Sequence, residues 1–376
     1  MVSKIRTLLL VMLAIGAWLP ARSNAKTEGS AGAVFVMTNG ASGNSIITYK
    51  RNGDGSLQEG RTFATGGRGS GGVTDPLASQ GSLTLTGDGS FLLAVNAGSG
   101  TISVFRVHGS NLSLTDRTPC GGSEPIAVAE HSGLVYVVNA GGSSEVTGFR
   151  LDGSGKLKAI ANSIAFLTTG NSGPGSLSFS PDGQFLLVTE KLTNKIDAFH
   201  VQANGTLGPI VANAAAGLGT FAVLFAPSGA ALVAETGPAG GNNASAISSY
   251  AVTPNGTVSP VSTSVPTLAA ATCWLAVTPD GSFVYTSNAG SASISGFAVG
   301  STGVLTALPG TVVATLPSGS TNIDAAISGD GKYLYTLDSG TGSVSIFGIN
   351  EDGTLTDFGE AGGLSAAAGF NGIAAN

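Results

Sequence analysis

The stretch FLLAVNAGSGTISVF, Phe91 to Phe105, is written again 192 positions later as FVYTSNAGSASISGF, Phe283 to Phe297. Its second half carries a β-branched residue, two further residues and then an aromatic. That spacing occurs seven times, as Ile46/Tyr49, Ile102/Phe105, Val146/Phe149, Ile196/Phe199, Ile247/Tyr250, Ile294/Phe297 and Val344/Phe347. Successive aromatics are 56, 44, 50, 51, 47 and 50 residues apart. In a strand, positions three apart face opposite sides. Apolar residues at both therefore mean a sheet buried on both faces. A helix would place them on one face, but Gly, Asn or Ser interrupts the chain every dozen residues, so strands are expected.

Each repeat has the same parts. An apolar strand runs into a turn such as SPDG (180–183), TPDG (278–281) or SGDG (328–331). A second strand ends on Asn39, Asn96, Asn139, Glu190, Glu235, Asn288 or Asp338. The third carries the aromatic, and DGSL (54–57), NGTL (204–207) or DGTL (352–355) turns into a fourth; Asn-Gly and Asp-Gly favour the positive φ of hairpin turns. Seven units of four antiparallel strands predict an all-β, seven-bladed β-propeller. The first unit, from Val34, lacks an opening strand, and GFNGIAAN (369–376) resembles one. The C-terminal strand is therefore expected to join the N-terminal blade and close the ring, removing two open edges.

Composition narrows the function. Glycine is 58 of 376 residues and charged residues are 10%, against roughly 7% and 25% in ordinary soluble domains. Lys4 and Arg6, the apolar run Leu8 to Leu19 and Ser23-Asn24-Ala25 read as a secretory signal over residues 1–25, with the propeller over 26–376. Removing that segment leaves 13 of the 16 basic residues against 22 acids, a net charge of −9. Such a balance disfavours nucleic acid and anionic membranes. No second long apolar stretch occurs, so a monomer without a membrane span, secreted or periplasmic, is expected. Cys120 and Cys273 permit a disulfide without requiring one. No HxH, HExxH or EF-hand pattern occurs, and neither metal nor cofactor is expected.

The cadence PDG…YVxNxG…ISVFxV…DGxLT resembles the lactonase-family β-propellers, which include 6-phosphogluconolactonases and carboxymuconate cyclases. GPGSLSFSPDG (173–183), LLVTEKLTNKIDAF (186–199) and CWLAVTPDGSFVYTSNAG (273–290) are similar to secreted bacterial members. The resemblance implies hydrolysis or formation of a lactone of a sugar acid or muconate-like acid. It also implies a histidine at the start of an inner strand, where this chain has Gly173-Pro174-Gly175-Ser176, and a glutamate just beyond a strand-ending asparagine, where Lys191 follows Glu190. His108, His131 and His200 are expected at the rim or on the opposite face.

Two functions follow. In the first, Glu190 is a general base, while Lys191 and Arg68 hold an anion and stabilise an oxyanion. Arg68 lies in the glycine-rich loop GGRGSGG (66–72). Trp274 offers a stacking platform or a core plug, and Glu235, Asp338, Asn96, Asn139 and Asn288 complete a ring around the channel mouth. The ring residues also suit a plain turn role, since Asn bonds its own turn. In the second, the propeller is a non-catalytic binding module for a glycan, peptide or envelope partner.

Overall fold

A computed structural model describes residues 31–238 and 241–376; the expected signal segment lies outside the described residues. Seven antiparallel sheets form the ring. Blade 1 comprises β1 (Gly32–Met37), β2 (Ser45–Arg51) and β3 (Leu57–Ala64). Blade 2 comprises β4 (Leu83–Leu85), β5 (Phe91–Asn96), β6 (Thr101–His108) and β7 (Asn111–Pro119). Blade 3 comprises β8 (Pro125–His131), β9 (Leu134–Asn139), β10 (Glu145–Leu151), β11 (Leu157–Ala159) and β12 (Ala165–Phe166). Blade 4 comprises β13 (Pro174–Phe179), β14 (Phe185–Glu190), β15 (Lys195–His200) and β16 (Val211–Ala214).

Blade 5 comprises β17 (Thr220–Phe225), β18 (Ala231–Glu235), β19 (Ala246–Val252) and β20 (Val258–Pro266). Blade 6 comprises β21 (Thr272–Val277), β22 (Phe283–Asn288), β23 (Ser293–Val299) and β24 (Leu305–Thr315). Blade 7 comprises β25 (Asn322–Ile327), β26 (Tyr333–Asp338), β27 (Ser343–Ile349) and β28 (Leu355–Ala361). The last strand, β29 (Ile373–Ala375), pairs antiparallel with β1 through Val34↔Ala375, Phe35↔Ala374 and Val36↔Ile373. The C-terminus is thus the inner strand of blade 1, as its sequence suggested.

The repeated pair explains the packing. None of the fourteen residues in the seven β-branched/aromatic pairs is more than 2% exposed. Each third strand is therefore covered on both faces by its neighbours. Second-strand tyrosines add a polar tie between blades. The Tyr285 hydroxyl donates to Gly353 O at 2.8 Å and Tyr335 donates to Gly55 O at 3.0 Å across the ring closure. Gly55 has φ +84°, and a Cβ there would collide with the Tyr333 ring, so only glycine serves this turn. Arg51, 2% exposed, clasps the closure: its guanidinium donates to Asn376 O (3.2 Å) and Ala31 O (2.9 Å) and pairs with Asp330 of blade 7 (3.1 Å).

Blade 3 departs from the regular plan, since its outer strand is broken into β11 and β12. Between them Ser163 takes over the ladder, its hydroxyl accepting from Gly148 N and donating to Gly148 O, both at 3.1 Å.

Candidate functional site

Inner strands start and second strands end on one face of the ring, here the upper face. Residues 65–82 link blades 1 and 2 across it. Glycines 66–72 lie over the turns that follow β1 and β5, with Gly69 N–H and Gly71 N–H on the carbonyls of Gly40 and Asn39, both at 2.9 Å. The chain then turns inward, and Asp75 to Gln80 plug the central channel.

The plug is held by the inner strands of blades 3, 4 and 6, by Lys191 and by the C-terminal segment. Gln80 N–H donates to Gly175 O at 3.0 Å. The Gln80 amide donates to Leu275 O at 2.7 Å and accepts from Leu275 N at 3.1 Å, acting as one residue of an extra strand on β21. The Ser79 hydroxyl donates to Ile126 O at 2.9 Å, and Ser79 O accepts from the Trp274 indole N–H at 3.0 Å. The Lys191 ammonium donates to the carbonyls of Ala78 and Pro174, the latter at 2.8 Å. Leu77 N–H and the Asp75 carboxylate both bond Asn371, at 3.4 and 2.9 Å. At Gly175 a Cβ would collide with the Phe221 carbonyl, so glycine lets blade 5 pack closely against blade 4 here. The histidine implied by the resemblance is replaced by the Gly175-Ser176 step that receives Gln80.

At the upper end of the plug, Asp75 and Lys191 are half-buried. Burial raises the Asp75 carboxyl to about 7, against the Asn371 hydrogen bond and the Lys191 charge. Burial lowers the Lys191 ammonium to about 8, against the charge of Asp75. The two feel each other's field without forming a direct ion pair. The ammonium also lies 5.1 Å from the centre of the Phe221 ring. Burial pushes the Cys273 thiol up, out of reach of a thiolate role near neutrality. Deeper in the channel, burial raises Asp324 to about 7, although the N–H groups of Ala325 and Ile373 bond it. Among the described residues no three His, Cys, Asp or Glu side chains gather as metal ligands.

The strand-ending ring is wired into the blades. Asn96, Asn139, Glu190, Asn288 and Asp338 are 0% exposed and Glu235 is 1% exposed. Glu190 accepts from Thr168 N at 2.8 Å, from the Thr168 hydroxyl at 2.6 Å and from the Thr193 hydroxyl. Glu235 accepts from Ser248 at 2.5 Å and Ser264 at 2.7 Å. Asp338 accepts three backbone N–H groups, from Thr321, Gly340 and Thr341. Asn96 accepts from Thr65 and Asn44, and Asn288 from Thr272 and Thr286. Asn139 donates to Thr147 at 3.3 Å. Trp274, 1% exposed, packs edge-on to Phe221 at 5.3 Å and offers no open stacking face.

Arg68 is exposed, and its backbone N–H is held by Ser99 at 3.0 Å. His131 ends β8 on the lower face, its ring 5.7 Å from that of Phe179, and His200 packs edge-on to Phe185. Cys120 and Cys273 are buried free thiols. Of the residues picked from sequence, only Lys191 and Trp274 therefore meet in the channel. Asp75, Gln80, Asn371 and Asp324 were not picked. The available signal was the 56-residue gap between the first two aromatics, the longest of the six, which marks the extra chain that forms the plug.

The family model for the lactonase 7-bladed β-propeller matches residues 35–167 and 231–362. The unmatched interval holds all of blade 4, including Glu190 and Lys191, and the inner strand of blade 5. No curated protein shows a significant match. Among solved structures, the periplasmic gluconolactonase PpgL of Pseudomonas aeruginosa aligns at 18% identity with TM-score 0.67, covering 91% of this chain and 98% of that one. A candidate 6-phosphogluconolactonase from Bacteroides uniformis aligns at 20% identity with TM-score 0.67, covering 92% and 99%. A functionally unknown protein from Desulfotomaculum acetoxidans aligns at 14% identity with TM-score 0.68, covering 91% and 98%. At these identities the structures support a shared fold, while the family match spans well over half of the chain. No helix among the described residues is long and apolar enough to cross a membrane. With a ring of seven four-stranded blades closed by its C-terminal strand, the chain belongs to the lactonase 7-bladed β-propeller family.

Proposed function

We propose that the chain hydrolyses a small-molecule lactone of an organic acid at the upper end of the channel. The observation that carries this reading is the pair Asp75 and Lys191, half-buried at the plug, with one group shifted up and the other down toward neutrality. Paired shifts of this kind mark acid–base sites. Asp75, oriented by Asn371, takes a proton from water as that water's oxygen bonds to the lactone carbonyl carbon. The Lys191 ammonium stabilises the oxyanion. The ring C–O bond then breaks, and the departing alkoxide takes the proton back from Asp75. The product is the hydroxy acid. Glu190, the base expected from sequence, has both carboxylate oxygens engaged, and we assign it to holding the turn that bears Lys191. We further infer export, from the N-terminal charge and apolar run together with the likeness to a periplasmic gluconolactonase.

A pH-stat screen of glucono-, galactono-, muconо- and aliphatic lactones tests the activity. Turnover reduced at least a hundredfold in Lys191→Met is expected, as removal of one oxyanion donor costs about that factor. A second reading, a binding propeller, is favoured by the protein's own chain blocking the upper part of the channel. Absence of turnover on every lactone would select it.

A further inference from the structure

Six blades pair the end of their second strand with a diagonal neighbour on the third strand, two residues along on the same face. In four of them a hydroxyl stands at that place and completes a hydrogen bond. Asn96 bonds Ser103 at 2.9 Å, Asn139 bonds Thr147 at 3.3 Å, Ser248 bonds Glu235 at 2.5 Å and Asn288 bonds Ser295 at 2.9 Å. Blade 7 has Asp338 with Ser345. Blade 4 alone places a carboxyl against a carboxyl, Asp197 against Glu190, both 0% exposed. Glu190 receives the Thr168 and Thr193 donors described above. Neither oxygen of Asp197 receives an N–H or O–H donor.

Two carboxyls that are diagonal neighbours on one face of the sheet and wholly shielded from solvent cannot both be charged. We propose that Glu190 and Asp197 share one proton, and that this shared proton positions the turn 191–194 carrying Lys191 and locks blade 3 to blade 4. The proton resides on Asp197 and is donated to Glu190. Glu190 then gathers Thr168 from the outer part of blade 3 and Thr193 from the turn. The charged groups acting on Asp197 are Glu190, from β14, and Lys195, on its own strand. Thr168, facing from blade 3, is neutral. Burial first, and Glu190 second, hold the Asp197 carboxyl up at about 8, against Lys195. Burial opposes the Glu190 charge too, but its hydrogen bonds from Asp197, Thr168 and Thr193 outweigh it and keep that carboxyl below its usual range.

The linkage has a definite sign. The unfolded chain releases the Asp197 proton near pH ~4, while the folded chain keeps it to about 8. This stabilisation is full below about 4 and is lost as pH rises through 8. Glu190 contributes with the opposite sign, but below the range of about pH 5 to 9; Asp75, Asp324 and Lys191 titrate within that range in wild type and variants alike, so the difference between profiles isolates Asp197. The test measures the melting temperature across it for wild type, Asp197→Ser and Glu190→Gln. Serine restores the hydroxyl used by the other blades, and glutamine donates to Asp197 and lets it ionise.

Wild type should lose several degrees relative to Asp197→Ser from the acidic to the alkaline end, and Glu190→Gln should show the same flattened profile. The infrared band of protonated carboxyls at neutral pH should shrink in either variant, which keeps the test open if one of them fails to fold. Parallel pH profiles with an unchanged band would overturn the proposal. So would a wild-type melting temperature raised by sodium or calcium at constant ionic strength, with no band change, because a cation would then replace the proton.

Discussion

Replacing Gln80 by alanine should loosen the channel plug without touching any blade. The side chain is 7% exposed, and its amide is the partner of both Leu275 N and Leu275 O. Strand β21 is the inner edge of its sheet, so these groups have no β partner on the channel side. An unsatisfied buried N–H or C=O costs about 1–3 kcal/mol, so the two together cost about 2–6 kcal/mol. The channel below the plug is an open cavity of 770 Å³ lined by Gln80 among others. Water entering it would restore part of the loss, which places the expected change near 2 kcal/mol. Equilibrium urea denaturation should show a lower midpoint at unchanged slope. Gln80→Glu sharpens the test. Its carboxyl would face Leu275 O and stand beside Asp324, so its folded pKa lies above the unfolded value of about 4.3. That variant should match wild type best in acid and lose stability as pH rises. A loss below about 0.5 kcal/mol for alanine, with no pH trend for glutamate, would refute the view that the plug is a fixed part of the channel.

Three further outcomes are expected. The kcat/KM of lactone hydrolysis should be bell-shaped, falling below about 7 as Asp75 takes up its proton and above about 8 as Lys191 loses its own; a rate flat from the acidic to the alkaline side contradicts those roles. Deleting residues 369–376 removes buried Phe370, Ile373 and Ala374 and bares the edge of β1; the two larger side chains alone contribute about 3–6 kcal/mol, so the truncated chain should lose its cooperative transition or associate. Both thiols should be silent toward a thiol reagent in the native protein and react upon denaturation, and reductant should leave the melting temperature unchanged, since Cys120 and Cys273 are buried and free.

The fold was legible because it is written seven times. The Ile46/Tyr49 spacing and its repeats report a sheet buried on both faces, and the orphan GFNGIAAN could belong only where a strand was lacking. The site was less legible for physical reasons. A strand's last residue sits where the chain turns, and alternation does not say whether its side chain meets the channel or the seam between blades. Glu190, Glu235 and Asp338 all meet hydroxyl or N–H donors there. Trp274 could equally have been a platform or a filler, and only the position of Ser79 decides it. The plug residues have no periodicity, so Asp75, Leu77 and Gln80 read as ordinary loop although the channel is built around them. Lys191 was legible because a cation directly after a strand end is conspicuous in a chain with few charges.

The most direct test of the account is a side-by-side turnover measurement, on the best lactone of the panel, of wild type, Asp75→Asn, Lys191→Met and His131→Ala. The account predicts that the Asp75 and Lys191 variants fall by two orders of magnitude or more while remaining folded, and that His131→Ala, on the opposite face, keeps its rate. Undiminished turnover in folded Asp75→Asn and Lys191→Met would contradict it, because the chemistry would then lie outside the plugged channel.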